Sequence, residues 1–124
     1  MSCTHLPHNH GEHSEQIARN MPEAQEFLSL ANTFKQLGDS SRLRIFWLLC
    51  HCEECVINIS AMVKMSSPAV SHHLRLLKAS GFVVSRRAGK EVYYTAAKTP
   101  TAQLLHDMIK QLLTLDCPPQ CHFE

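Results

Sequence analysis

The stretch Met65–Leu77, MSSPAVSHHLRLL, constrains the fold of this chain more than any other. Ser67 is a favourable helix cap, and Pro68 suits the first helical position, where its missing N–H costs nothing. The spacing predicts a helix in which Val70, Leu74 and Leu77 fall at i, i+4 and i+7, one apolar stripe aimed at a core. The other side carries Ala69, Ser71, His72 and Arg75, with Ser66 just ahead of the first turn. Low bulk combined with many donors and acceptors is what a helix lying in a DNA major groove requires. An ordinary surface helix fits the same residues, so the neighbouring segments decide.

Upstream, residues from about Asn58 to Lys64 predict a short helix with Ile59, Met62 and Val63 inward. Two short helices joined by a tight turn, the second polar on its outer face, form a helix-turn-helix. Downstream, Gly81 ends the second helix, and Phe82–Ala88 and Lys90–Ala96 read as two strands turning at Gly89. Arg86, Arg87 and Lys90 cluster at the tip of that hairpin, where a wing reaches backbone phosphate. Charge supports the same assignment. The chain's net charge is only +1, yet residues 64–98 carry +6 and residues 1–34 carry −3. A local excess of that size is the footprint of a polyanion-binding surface. The expected fold is mainly α with a β-hairpin wing, a winged helix-turn-helix in the α+β class that binds double-stranded DNA.

A chain of 124 residues accommodates one such domain with tails. Residues 1–19 hold Cys3, His5, His8, His10 and His13 without apolar periodicity and predict a mobile arm. Asn20 with Glu23 resembles a capping box for a helix over Met21–Leu37, its apolar face marked by Phe27, Leu30, Phe34 and Leu37. Asp39 or Ser40 then caps a helix through Arg42–Cys50, apolar nearly all round and therefore central. Thr99 and Pro100 start a last helix to about Leu115, with Leu104, Leu105, Met108, Ile109, Leu112 and Leu113 forming a broad apolar band. Such a band on a peripheral helix asks for a second subunit, and a dimer suits a two-fold DNA site. The expected organisation is an arm over 1–19, the DNA-binding and dimerisation domain over 20–115, and a tail over 116–124. The longest apolar run, Ile45–Cys50, is far too short to span a membrane, and no secretory leader is visible, so a cytoplasmic location is expected.

The segments LGDSSRLRIFWLL (37–49), ECVINISAMV (54–63), SSPAVSHHLRLLKASGFV (66–83) and RRAGKEVYYTA (86–96) together resemble the ArsR/SmtB family of bacterial metal-responsive repressors, over about residues 24–115. The resemblance implies a winged-helix dimer joined through its terminal helices, repressing an operator until an inducer binds. It also implies that Ser67, Ser71, His72 and Arg75 face bases or phosphates and that Arg87 and Lys90 sit on the wing. One inducer site of that family has the form E-L-C-V-C-D. Here the matching stretch is Glu53-Glu54-Cys55-Val56-Ile57-Asn58, in which Cys55 matches the first cysteine while Ile57 and Asn58 stand where the second cysteine and the acid would be. A second family site, on the last helix, would fall on Lys98, Pro100, Gln111 and Thr114, none a plausible ligand.

What remains is thiols. Six Cys without a leader point to metal or redox chemistry rather than structural disulfides. Cys50 ends an apolar run and reads as a small core residue. Cys52 and Cys55 form C-x-x-C, and Cys117, Cys121 and His122 lie at the far end. Soft donors favour thiophilic ions such as Cd(II), Pb(II), Zn(II) or As(III). The candidate inducer site is Cys52 and Cys55, completed by Cys3 or by Cys117 and Cys121, with no organic cofactor expected. Three alternatives stay open: thiols that only fill space or hold a static zinc ion, a thiol-redox or persulfide switch, and a thiol oxidoreductase. Catalysis is the least favoured. Glu53 and Glu54 oppose a low-pKa thiolate, and the chain lacks a phosphate loop and a nucleophile elbow.

Overall fold

In the computed structural model, which describes residues 6–114, the elements run α1 (Glu12–Asn20), α2 (Ala24–Leu37), α3 (Ser40–Leu49), β1 (Glu54–Cys55), α4 (Val56–Val63), α5 (Ser67–Ala79), β2 (Val83–Ala88), β3 (Glu91–Ala96) and α6 (Pro100–Leu113). They group into two compact units that divide between Asn32 and Thr33, within α2. The first unit differs most from expectation. Residues 12–19, read as part of a mobile arm, lie in α1, which extends through Asn20. No residue of α1 is buried, so apolar periodicity could not reveal it; Glu12 and Glu15 in its first turn and Arg19 in its last suit the helix dipole instead. Asn20 closes α1, its Nδ2 donating to the Gln16 carbonyl at 2.9 Å, and therefore does not cap α2.

The second unit is built on burial of α5. Val70, Leu74 and Leu77 are all buried, as their spacing requires, against Ile45, Phe46 and Leu49 of α3 and Ile59 of α4. Phe46 meets Phe82, the residue before β2, edge to face at 5.9 Å. Asp39 caps α3 by accepting from the Arg42 backbone N–H at 3.0 Å, the partner a first-turn donor needs. The cap of α5 lies one residue earlier than its sequence suggests. Ser66 Oγ accepts from the Ala69 N–H at 3.3 Å, making Ser67 the first helical residue and Pro68 the second.

Between these helices, α4 starts two residues earlier than expected and ends at Lys64, which adopts the left-handed conformation at φ 57°. That turn lets the Met65 N–H donate to the Ser60 carbonyl at 3.1 Å. Met62, expected inward, is 50% exposed. The hairpin pairs Val83 with Ala96 through Ala88 with Glu91, and Gly89 takes φ 63° at its reversal. Between α3 and α4, strand β1 pairs Glu54 with Tyr94 and Cys55 with Tyr93, giving a three-stranded antiparallel sheet of order β1-β3-β2. At the other end, Thr99 caps α6 through the Ala102 N–H, and Thr114 closes it in the left-handed conformation after Leu113, two residues short of the expected end.

Leu74 is 1% exposed at the centre of this core, so Leu74→Ala should lower unfolding free energy by about 2–5 kcal/mol in a urea titration. Val84→Ala, at a strand position 48% exposed, should stay within roughly 0.5 kcal/mol of wild type. Equal effects at the two positions would contradict this packing.

Candidate nucleic-acid interface and thiol loop

The phase fixed by the α5 stripe turns His72 and Arg75 fully outward and leaves Ala69 and Ser71 half-buried beside them. Ser67 lies 3.1 Å from Ser60 Oγ, whose own hydroxyl donates to the Val56 carbonyl at 2.7 Å, so Ser67 is the donor in that pair. Ser66 and Ser67 therefore hold the turn between α4 and α5 while remaining exposed at its surface. His73 is half-buried. Its Nδ1 accepts from Arg42 Nε at 3.2 Å, and Arg42 Nη1 donates to the Gln36 carbonyl at 2.6 Å and to Gln36 Oε1 at 2.9 Å. Burial pushes the His73 pKa below its ordinary value; Asp39 opposes the shift, while Arg42 and His72 add to it.

In the wing, successive residues of β2 face opposite sides of the sheet. Arg87 shares a side with Ser85, whose hydroxyl accepts from Lys78 of α5 at 2.7 Å. Arg87 and Lys90 are exposed at the tip on and beside that side. Arg86 points the other way. Its Nε and Nη2 donate to the two Glu53 carboxylate oxygens at 2.8 and 2.6 Å, and its guanidinium lies 5.0 Å from the centre of the Tyr93 ring. The sequence groups both arginines at the tip; strand alternation separates them.

Cys50 is buried in the core. Cys52 and Cys55 are half-buried thiols, and none of the three is in a disulfide. Cys52 Sγ donates to the Leu48 carbonyl at 3.4 Å, and burial, with Glu54 adding to it, pushes its pKa up. Cys55 stands at the junction of β1 and α4, opposite Tyr93. Among the described residues no three His, Cys, Asp or Glu side chains converge as a metal cage. Cys3, Cys117 and Cys121 lie outside the described residues. Ile57 and Asn58, at the positions of the family's second cysteine and acid, both face solvent. One feature escaped the sequence reading: His106 is buried and its ring stands 5.5 Å from that of His51, which in turn lies 4.4 Å from Trp47. The signal was available, since His106 falls one helical turn after the buried Ala102.

Residues 39–85 match the family model described as bacterial regulatory protein, arsR family. A transcriptional repressor SmtB homolog from Synechocystis is 36% identical over 107 residues, covering 84% of this chain and 81% of the relative. The chain belongs to the ArsR/SmtB family. A cadmium resistance transcriptional regulatory protein CadC homolog from Staphylococcus aureus is 37% identical over 82 residues, 65% of this chain and 68% of the relative. Among solved structures, the homodimeric winged helix-turn-helix DNA-binding domain of a Mycobacterium bovis protein superposes with a TM-score of 0.65 at 27% identity, covering 77% and 87% of the two chains. This ArsR-family chain is a winged-helix DNA-binding transcriptional regulator and not an enzyme. Among the described residues no helix is long and apolar enough to cross a membrane.

Two solution measurements follow. A folded state that depresses the His73 pKa gains stability that is complete above the ordinary value of about 6.5 and is lost as pH falls through the lowered folded value. Melting temperature should therefore drop between about pH 7.5 and pH 5, and His73→Gln, which keeps an acceptor for Arg42, should flatten that slope. An unchanged slope excludes His73 as its source. For Cys52, a raised pKa means slower alkylation at neutral pH than a free cysteine shows, with the rate recovering at higher pH. Mass-mapped iodoacetamide kinetics measure this directly, and a Cys52 faster than free cysteine would contradict it.

Proposed function

We propose that this chain is a homodimeric repressor whose two α5 helices enter successive major grooves of an operator, released when a thiophilic ion binds the Cys52–Cys55 loop. The observation that carries the DNA half is the outward face of α5 beside the Lys78–Ser85 contact and the Arg87–Lys90 wing tip. On this reading Ser71, His72 and Arg75 read base edges, Ala69 permits close approach, and Ser66, Ser67, Arg87 and Lys90 meet phosphate. Dimerisation is supported by apolar faces that a monomer would leave in water: Phe27 and Phe34 on α2, and Leu104, Met108 and Leu112 on α6, are all exposed. A groove of about 490 Å³ lined by Leu43, Trp47, Met62, Ile109 and Leu112 continues the α6 face.

For the inducer, the support is the soft donor pair at the start of α4, together with the cadmium-resistance name of the Staphylococcus relative. Cys3 or Cys117 and Cys121 would complete the coordination. Cd(II), Pb(II), Zn(II) and As(III) are the fitting ions. Binding of metal to the conformation that fits DNA less well weakens DNA affinity by the same factor that DNA weakens metal affinity, typically about 5- to 150-fold.

Operator anisotropy titrations with reduced protein, repeated with each ion, test the whole scheme. Arg75→Ala should cost about 1–3 kcal/mol on the operator and relax its specificity. Arg87→Ala should weaken operator and unrelated DNA alike and lower the salt slope by about one. Cys55→Ser should bind the operator normally yet resist release. A Cys55→Ser protein still released by every ion would remove Cys55 from the inducer site.

A further inference from the structure

Arg86 occupies a place that DNA binding does not explain. It is on the side of the sheet opposite the Lys78–Ser85 contact, and both of its hydrogen-bonding edges used here go to Glu53. Glu53 lies inside the Cys52–Cys55 loop. The strand register sets Cys55, Tyr93 and Arg86 side by side in one row across β1, β3 and β2. Neighbours in such a row are within side-chain contact, and the Arg86 guanidinium does cover the Tyr93 ring. A single exposed ion pair would carry little, but a two-pronged fork stacked on an aromatic ring has a defined geometry to transmit.

We propose that Arg86 is a positioning residue that couples the thiol loop to the wing, through its fork onto Glu53 and its place in the Cys55–Tyr93–Arg86 row. The proposal rests on the reading of the loop as the inducer site. To ligate an ion, Cys52 must give up its proton and with it the hydrogen bond to the Leu48 carbonyl, and sharing that ion with Cys55 at metal–sulfur distances of about 2.3 Å draws the two sulfurs onto one centre. Glu53, held between the two, cannot keep its carboxylate in place while both flanking side chains converge. The fork then drags Arg86 with it, and strand β2 carries that displacement one residue on to Arg87 at the tip and beyond to Lys90. Operator contact is lost at the wing while α5 stays packed.

The test compares wild type, Glu53→Gln and the charge-swapped Glu53→Arg/Arg86→Glu protein, each a full-length chain with Cys3, Cys117 and Cys121 intact. Cd(II) binding is followed by thiolate charge-transfer absorbance and operator affinity by anisotropy, each release factor being taken relative to that protein's own metal-free affinity. A second arm alkylates the loop thiols with iodoacetamide, in a background where Cys3, Cys117 and Cys121 are Ser, and so perturbs the loop without metal. Glu53→Gln should keep metal-free operator affinity within about fivefold of wild type, the worth of an exposed pair, and still bind Cd(II). Its release factor should collapse toward one in both arms, and the charge swap should restore release. Wild-type release factors in Glu53→Gln overturn the relay, as does a wild-type operator affinity that neither Cd(II) nor alkylation changes. If Cd(II) fails to bind wild type while alkylation still acts through Glu53, the relay stands and the metal reading falls.

Discussion

Burial of Val70, Leu74 and Leu77 fixes the rotation of α5 about its own axis, and the geometry of its exposed face follows from that rotation. Removing three such side chains from water is worth roughly 5–9 kcal/mol, comparable with the whole net stability of a small domain. Turning the helix by one residue would forfeit most of it. A hydrogen bond contributes about 0.5–1.5 kcal/mol, so the contacts around α5 trim its position without choosing its phase. Arg42 holding His73, Ser67 donating to Ser60 and Lys78 reaching Ser85 belong to this second class. They fix tilt and distance: His73 ties α5 to the start of α3, Ser67 to α4, and Lys78 to the wing.

The same hierarchy applies to the hairpin. Val83 and Ala96 are buried as a cross-strand pair, which directs Ser85 and Arg87 to the recognition-helix side and sends Arg86 to the other. Once that alternation is set, Arg86 leaves the sheet on the side away from α5, where Glu53 answers its charge. The basic cluster visible in the linear sequence thus divides into two populations. Arg75, Arg87 and Lys90 extend into solvent, and Arg86 is committed to the protein itself.

Features governed by periodicity or by a glycine were legible from the sequence. The α5 stripe, the central α3, the strand pair and the reversal at Gly89 each rest on a repeat or on a positive φ that glycine adopts freely. What escaped had no such signal. Strand β1 is two residues long, too short for alternation, and exists because β3 offers it an edge. The turn between α4 and α5 uses Lys64 in a left-handed conformation where a glycine would have marked it. Two adjacent serines compete to cap α5, and only the backbone geometry selects Ser66. Helix α1 has no buried face at all. At the candidate site, the outward placement of His72 and Arg75 followed from helix phase, whereas the Arg86–Glu53 pair joins residues 33 positions apart and needed the sheet to bring them together.

The loop that carries Cys52 and Cys55 is held in a resting arrangement at two points. The Cys52 thiol donates a hydrogen bond to the Leu48 carbonyl, and Glu53 keeps its carboxylate on Arg86. An ion recruiting both thiols must displace the proton and undo the sulfur's contact, so part of its binding free energy goes into dismantling the resting loop. A ligand can bias a two-state element only by its differential affinity for the two states. The contacts that must be broken are therefore what makes an occupied loop differ from an empty one. A loop free of them would bind the ion more tightly and transmit nothing. On the proposed reading, weak and specific anchoring of the thiol loop to the wing is what lets an occupied loop act on the hairpin, and the fork that holds the exposed Arg86 on the Glu53 carboxylate is part of that anchoring.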